Sequence, residues 1–284
     1  MTFNWIKKLW QRLSGTKTPV VSVLRLSGAI GMRTGLSKGL SFAGSAAQIA
    51  KLFADKTVAA AAVIINSPGG SPVQAALIHD RIRALAQENG IKVLTFAEDV
   101  AASGGYMLAL AGEEIYAHEN SIVGSIGVVS AGFGFQGLID KLGVERRVHT
   151  SGERKAMLDP FKPEDPRDAE HLEELQREVH ESFKAMVRAR RPGKLKGNEA
   201  DLFSGLFWTG AKAKDFGLID GLGDLRSVCR EKFGKDVEFR VIQPRRSWLG
   251  TERSGVGVAP ALEFRAESFI EAVEDRALWA RFGL

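Results

Sequence analysis

The segment around Ser103 has the composition of a turn that could present a nucleophile. In the run AASGGY, Ser103 lies between small residues and follows an apolar stretch directly. A serine at such a strand-to-helix turn is exposed at the positive end of the helix dipole. Gly104 would let a substrate carbonyl approach closely and could offer its N–H group. The same residues also fit a serine that caps the helix beside glycines needed for packing, so this segment alone leaves the role of Ser103 open.

A second glycine-rich turn follows another apolar run. The residues Ser67-Pro68-Gly69-Gly70 come directly after VAAAAVIIN, which spans 58–66. Glycines after a strand can expose backbone N–H groups that bind an anion or an oxyanion. Pro-Gly-Gly is also an ordinary turn, so the two interpretations stand side by side.

A serine nucleophile needs a base, and the sequence offers histidine or lysine. His171 and His180 lie on a long charged helix, where we expect exposure to solvent, and His79 lies on the helix after Gly70. His118 and His149 have no supporting motif, but their positions leave them open as bases. Lysine is the base in Ser-Lys enzymes, where burial must favour its neutral form.

The hydrophobic pattern predicts the elements that would position these turns. Apolar runs bounded by Gly, Pro or Ser predict strands, and apolar residues at helical spacing predict helices. The expected strands are Pro19–Leu26, Val58–Asn66, Ile91–Ala97, Glu114–Ala117, Glu145–His149 and Val237–Ile242. The expected helices are Ser41–Ala54, Ser71–Gln87, one within Glu98–Ala111 that begins near Ser103, one from Asp165 to Pro192, and two short ones within Thr209–Arg230.

The long helix should bury one stripe of side chains, and the overall order predicts a parallel sheet. The expected stripe is Leu172, Leu175, Val179, Phe183, Met186 and Val187. Strand, turn, helix and strand in succession are typical of right-handed βαβ units. In such α/β folds active sites form where the carboxyl ends of strands lead into loops, which is where both glycine-rich turns lie.

Four motifs in this order resemble signal peptide peptidase A and its relatives. They are INSPGG (Ile65–Gly70), AASGGY (Ala101–Tyr106), VGSIGVV (Val123–Val129) and SGERKAMLDPF (Ser151–Phe161). Each motif is loose alone, but four at suitable spacing are specific, and the similarity runs from about Pro19 to Val241. The resemblance implies an α/β fold of the Clp protease and crotonase type, with repeated β-β-α units, a mainly parallel sheet and flanking helices.

The resemblance also implies a catalytic site. Ser103 matches the family's nucleophile, Lys155 its general base, and Ser125 the serine that orients that lysine, while the N–H groups of Gly70 and Gly104 match the oxyanion hole. Without the resemblance, Lys155 would be taken for a surface lysine in a charged turn. The family implies extended peptide substrates, no metal or cofactor, and a homo-oligomer in which neighbouring protomers supply the serine and the lysine.

Three regions are expected along the chain. Residues 1–18 predict a basic amphipathic helix, residues 19–245 the peptidase domain, and residues 246–284 a linker followed by an amphipathic helix. The 284 residues carry a net charge of +5 that is concentrated near the N-terminus, which argues against a nucleic-acid-binding body. We find no transmembrane anchor or secretory signal, so we expect a cytoplasmic protein. Residues 1–18 fit a helix at the inner face of the membrane, and equally a helix docked on this protein or on a second subunit.

Rival interpretations come from the same fold and from another class. A Clp-type peptidase would need a histidine shortly after the serine, and the stretch Glu119–Val148 contains none. A crotonase-like acyl-CoA enzyme would use two oxyanion loops without needing Ser103 or Lys155. A non-catalytic membrane-associated scaffold could keep the fold without the chemistry.

Overall fold

The computed structural model describes residues 18–31, 33–34, 37–243, 273 and 276–284. The strands are β1 (Val20–Ser27), β2 (Arg33–Thr34), β3 (Ser37–Lys38), β4 (Ala60–Ser67), β5 (Val93–Ala102), β6 (Glu114–Ala117), β7 (Ile122–Gly124), β8 (Phe207–Thr209), β9 (Gly221–Leu222) and β10 (Glu238–Val241). The helices are α1 (Phe42–Leu52), α2 (Pro72–Asn89), α3 (Gly104–Ala109), α4 (Gln136–Leu142), α5 (Pro166–Arg190), α6 (Glu199–Leu202), α7 (Gly210–Asp215) and α8 (Leu225–Phe233). The predicted N-terminal helix lies outside the described residues, and so does most of the predicted C-terminal one.

An eight-stranded, mainly parallel sheet forms the centre of the molecule. Six strands run in the order β10-β1-β4-β5-β6-β9, and every neighbouring pair among them is parallel. The remaining two extend this sheet, because β7 pairs with β5 in parallel and β8 pairs with β7 antiparallel. The structure confirms the predicted α/β class with a mainly parallel sheet and flanking helices.

The central strands are apolar along their whole length because both faces of the sheet are covered. Seven of the eight residues of β4 are buried, the pattern expected of a parallel strand between two layers of helix. One face packs against α1, α2 and α3 through residues such as Ile49, Ile78 and Leu108. The other face packs against α8 through Val228 and Cys229. The sheet is therefore a rigid base for the loops at the carboxyl ends of its strands.

Three local predictions were wrong. Residues 145–149 form no strand: they leave the sheet, are exposed, and have no neighbouring strand to pair with. The stretch between the strands predicted at 114–117 and 145–149 was given no strand, but it contains β7, whose three residues pair with β5. The predicted stripe of α5 is buried only near its end, at Phe183 and Val187, whereas Leu175 and Val179 are exposed.

A buried ion pair ties the end of α5 to the loop before β9. The Arg191 side chain is almost fully buried, and its guanidinium donates to Asp220 at 2.6 Å and to the Gly217 carbonyl at 2.8 Å. Asp220 also accepts from Lys194 and from the Ile115 amide. Burial by itself would raise the pKa of the Asp220 carboxyl, but the hydrogen bonds from Arg191 and Lys194 outweigh it and hold that pKa below its usual 3.8.

Replacing Asp220 with asparagine is expected to destabilise the fold by about 3 kcal/mol at neutral pH, because it leaves the Arg191 charge buried without a counter-ion. The Asp220 carboxyl has a lowered pKa, so the stability it contributes is present above pH 3.8 and is lost as the pH falls through the lowered value. Denaturant unfolding across pH should therefore show the largest difference in the free energy of unfolding between Asp220→Asn and wild type at neutral pH, and a smaller difference in acid. A difference that does not change with pH would contradict the assigned ion pair.

Candidate active site

The turn between β4 and α2 requires glycine at two successive positions. Gly69 and Gly70 have φ angles of 110° and 130°, which side-chain-bearing residues rarely adopt. A Cβ on Gly70 would lie 2.2 Å from the Ile30 carbonyl oxygen. The Ile30 amide donates to the Gly69 carbonyl, and the Ser71 amide donates to the Ile30 carbonyl. These contacts fix the direction in which the Gly70 N–H group points.

Ser103 occupies a strained turn between β5 and α3. Its φ and ψ are 53° and −122°, and it is one of three described non-glycine residues with positive φ. Such a conformation costs of order 1–3 kcal/mol and is concentrated at functional sites. Ser103 holds the N-cap position of α3, but its side chain makes no capping hydrogen bond, whereas Ser71 caps α2 by accepting from Gln74. The capping interpretation of Ser103 therefore does not explain its hydroxyl.

The two turns are in direct contact. A Cβ on Gly69 would lie 2.7 Å from the Ser103 Cβ, and a Cβ on Gly104 would lie 3.5 Å from the Gly70 nitrogen. Within the described part of the chain, neither the Gly70 nor the Gly104 amide donates a hydrogen bond to another residue. Two free N–H groups thus lie beside the serine hydroxyl, the arrangement that stabilises an oxyanion formed by attack of that hydroxyl.

Ser125 lies at the end of the strand next to Ser103. It follows β7, whose Gly124 carbonyl accepts from the Ser103 amide at 2.8 Å. Ser125 has a φ of 54° and is only 6% exposed, and its own amide donates to the Leu206 carbonyl at 2.7 Å. The structure therefore brings Ser103, Ser125, Gly70 and Gly104 together at the carboxyl ends of neighbouring strands.

Lys155 is not part of this cluster within one chain. It lies in an exposed turn and makes no hydrogen bond or ion pair with Ser103, Ser125 or any other side chain among the described residues. None of residues 127–182 is buried, so we call this region the arm. Helix α4, which lies within the arm, buries none of its residues, and Phe133, Val129 and Leu142 are 76%, 67% and 66% exposed.

None of the five histidines reaches Ser103. His79 is buried on α2 and its Nδ1 contacts Asp80 at 2.8 Å, and burial holds the pKa of its imidazole below the usual 6.5. The His118 ring accepts from the Asn120 amide, and His149 and His171 lie on exposed or half-exposed parts of the arm. Histidine therefore has no role as a base in the arrangement of one chain.

His180 was wrongly predicted to be a solvent-exposed residue of the long helix. It is half-buried, and its Nε2 lies 3.0 Å from the Ile126 carbonyl oxygen. A carbonyl only accepts, so the Nε2 must carry the proton. Ile126 directly follows Ser125, so the imidazole braces the turn that holds Ser125. Sequence spacing carries no signal for this contact, because it joins residues 54 positions apart.

If the cluster is the peptidase site that the resemblance implies, replacing His180 with alanine is expected to lower kcat for peptide hydrolysis by about fivefold, the equivalent of one lost hydrogen bond of roughly 1 kcal/mol. His180→Gln should keep most of the activity, because the glutamine amide can still donate to the Ile126 carbonyl. His171→Ala, on the same helix, is the matched control and should leave kcat unchanged. Steady-state peptide hydrolysis by the folded variants checks this, and equal kcat values for His180→Ala and wild type would remove His180 from the site.

Comparison with known families identifies the region that contains Ser103, Gly104, Ser125 and Lys155, but not Gly70. Residues 85–237 match the family described as Peptidase family S49. A protein of Enterococcus faecium named Putative signal peptide peptidase SppA is 31% identical over 217 residues, which cover 74% of this chain and 61% of that protein. Serine protease SPPA, chloroplastic, of Arabidopsis thaliana is 31% identical over 234 residues, which cover 78% of this chain and 33% of that protein.

Greater identity is found to part of a longer protein. A protein of Brucella abortus (strain 2308) named Na(+)/H(+) antiporter NhaA is 52% identical over 287 residues, covering 98% of this chain but 39% of that protein. The chain thus spans about two fifths of that relative, whose name describes the longer protein. Among the residues described here, no helix is long and apolar enough to cross a membrane.

One solved structure matches at low identity. It is described as the membrane-bound stomatin-specific protease 1510-N, and it is 16% identical to this chain with a TM-score of 0.49. The match covers 81% of this chain and all of the other.

Proposed function

Because the chain belongs to peptidase family S49, a family of SppA- and SohB-like serine proteases, we propose that it is a serine endopeptidase that uses Ser103 and Lys155. The observation that carries the proposal is the geometry of Ser103. Its hydroxyl is not used as a helix cap, its backbone is strained, and it lies beside two amides that donate to no other described residue. A structural serine would not need this combination.

The proposed reaction has two steps through an acyl-enzyme. The neutral amine of Lys155 takes the proton of the Ser103 hydroxyl as its oxygen attacks the peptide carbonyl. The Gly70 and Gly104 N–H groups stabilise the resulting oxyanion, at about 3 kcal/mol per donor. The lysine then returns the proton to the leaving amine as the C–N bond breaks. The same lysine then takes a proton from water as the water oxygen attacks the ester, and it returns that proton to the Ser103 oxygen as the acyl C–O bond breaks, which releases the acid product. Ser125 orients the lysine throughout.

We infer that Lys155 reaches the site of a second copy of the chain. A lysine base must be neutral, and burial favours the neutral form, yet Lys155 is exposed in a single chain. The arm around it presents Phe133, Leu142 and other large apolar side chains to solvent, and exposed apolar side chains that group together often mark an interaction surface. A homo-oligomer that covers the arm would bury these side chains and the lysine together.

Substrates of this site are proposed to be extended peptides, such as remnants of signal peptides or unfolded segments near membranes. Gly-rich turns at the ends of strands leave room for a peptide to pair as an added strand, and the Enterococcus relative carries the name of a putative signal peptide peptidase. We propose residues 19–245 as the catalytic domain and residues 246–284 as a separate C-terminal segment. The basic residues 1–18 would attach the protein to the cytoplasmic membrane face.

Peptide hydrolysis and covalent labelling test the activity together. The purified full chain is incubated with fluorogenic peptides that have small or aliphatic residues before the scissile bond, and separately with a fluorophosphonate probe. We expect hydrolysis, and a mass shift on the tryptic peptide that contains Ser103 but not in heat-unfolded protein. Hydrolysis of acyl-CoA thioesters without peptide hydrolysis would favour the acyl-CoA alternative. A protein that neither cleaves nor labels would be a scaffold.

A further inference from the structure

The strand that leads to Ser103 contains an irregularity just before the site. Strands β4 and β5 pair in register from Ala61 to Ile65, where Ile65 lies opposite Ala97. The next pair joins Ser67 to Ala101. One residue of β4 therefore faces three residues of β5, which is a β-bulge, and bulges often redirect a strand beside an active site.

The single β4 residue inside this irregularity is Asn66, and its carboxamide holds the bulge. Its Oδ1 accepts from the Val100 amide at 3.2 Å, and its Nδ2 donates to the Asp99 carboxylate at 2.8 Å. Its backbone carbonyl also accepts from the Gly28 amide at 3.0 Å. Asn66 is 8% exposed, so these bonds replace ladder bonds that the bulge removes from a buried part of the sheet.

The bulge is also the point where β5 changes its neighbour. Before it, residues Leu94–Ala97 pair with β6, and after it, residues Val100–Ala102 pair with β7. The second pairing carries Ser103 to the Gly124 carbonyl and places it beside Ser125. The geometry of the bulge therefore determines the position of Ser103 relative to Gly124 and Ser125.

Asn66 also precedes the second turn of the site, the one formed by Gly69 and Gly70. The segment after Asn66 packs closely against the segment after Ser103, because a Cβ on Gly105 would lie 2.4 Å from the Ser67 carbonyl oxygen. One side chain thus joins the start of the oxyanion turn to the strand that carries the nucleophile. A displacement of about 1 Å between reacting groups can lower a rate by about 10²-fold.

We propose that Asn66 is a positioning residue, whose bonds to Val100 and Asp99 set the distance between the Ser103 hydroxyl and the Gly70 and Gly104 N–H groups. This inference rests on the proposed peptidase function. It requires asparagine rather than aspartate at position 66, because one end of the side chain accepts and the other donates. It also allows the donor and acceptor roles to be exchanged with position 99.

Exchanging the two residues tests the inference. In Asn66→Asp, the bond to the Val100 amide persists but a second carboxylate faces Asp99, so we expect kcat to fall by about 10²-fold with KM little changed. In Asp99→Asn, the new carboxamide oxygen at position 99 still accepts from Asn66, so activity should stay near that of wild type. The double variant Asn66→Asp/Asp99→Asn restores one donor and one acceptor between the two side chains, and it should recover most of the lost kcat.

Asn198→Asp serves as the matched control. Asn198 caps α6 by accepting from the Ala200 amide, which aspartate also does, so the same chemical change should leave kcat unaltered. Thermal unfolding of every variant establishes that the assay temperature lies below the transition, which separates positioning from loss of folded protein.

The outcomes separate the two proposals. An active wild type with an unimpaired Asn66→Asp, or with a double variant no better than that single one, would overturn the positioning role alone. A raised KM with an unchanged kcat in Asn66→Asp would also overturn the positioning role, because it would indicate a contact with substrate. A wild type without peptidase activity would overturn the proposed function and this inference with it.

Discussion

Ser103→Ala is expected to lower kcat for peptide hydrolysis by about 10⁶-fold, the size of effect found when a serine nucleophile is removed. The fold should be retained. The Ser103 hydroxyl makes no capping hydrogen bond, so alanine removes no contact, and alanine adopts the same backbone conformation at similar cost. Stability should therefore change by less than about 0.5 kcal/mol.

Ser41→Ala is the matched control for this prediction, because Ser41 is also the N-cap of a helix. Its hydroxyl accepts from the Gly44 amide, so its loss should cost about 1 kcal/mol of stability and leave kcat unchanged. The two serines hold the same helix position and should show opposite effects. Denaturant unfolding and peptide hydrolysis on both variants check this. Residual activity of Ser103→Ala within tenfold of wild type would show that another group is the nucleophile.

Lys155→Met should abolish activity almost as completely, because without a base the serine hydroxyl is a weak nucleophile at neutral pH. Methionine keeps an unbranched chain of similar length, so assembly through the arm should persist. Lys162→Met, a change on the same exposed arm, is the matched control and should retain activity. Retention of activity in Lys155→Met would show that the base is wrongly assigned.

Mixing the two inactive variants tests whether the Ser103 and Lys155 of one site come from one chain or from two. If Ser103 and Lys155 of one site come from different copies, co-assembly of Ser103→Ala with Lys155→Met recreates some complete sites. Random assembly in equal amounts would place a native serine beside a native lysine in about a quarter of sites. Recovery of activity near that fraction is the expected result. No recovery in demonstrably mixed oligomers would mean that one chain supplies both residues.

Local sequence predicted the parts of the fold and site that depend on local chemistry. The apolar run of β4 and the glycines that follow it predicted a buried strand and a turn, and Gly69 and Gly70 do adopt conformations that favour glycine. The α/β class followed from the order of such segments. Ser103 was identified as a candidate because small residues surround it, and the absence of a capping bond could be seen only in three dimensions.

Features that depend on distant partners could not be predicted in this way. Strand β7 has three residues and exists through its pairing with β5. His180 braces the turn after Ser125 across 54 positions, and Asn66 reads in sequence as the last residue of a strand. The apolar stripe of α5 was predicted to be buried along its length, yet Leu175 is 44% exposed, because helical periodicity does not reveal which part of a helix has something to pack against.

The uncovered arm has a consequence for control of the enzyme. If Lys155 acts on Ser103 of a second copy, as we propose, each newly made chain is latent, because it carries the nucleophile without a base that can activate it. Proteolytic activity would then depend on the concentration of the protein. It would be absent in dilute solution and present where copies of the chain assemble. Such a protease would need no separate inhibitor to protect the cell during its own synthesis.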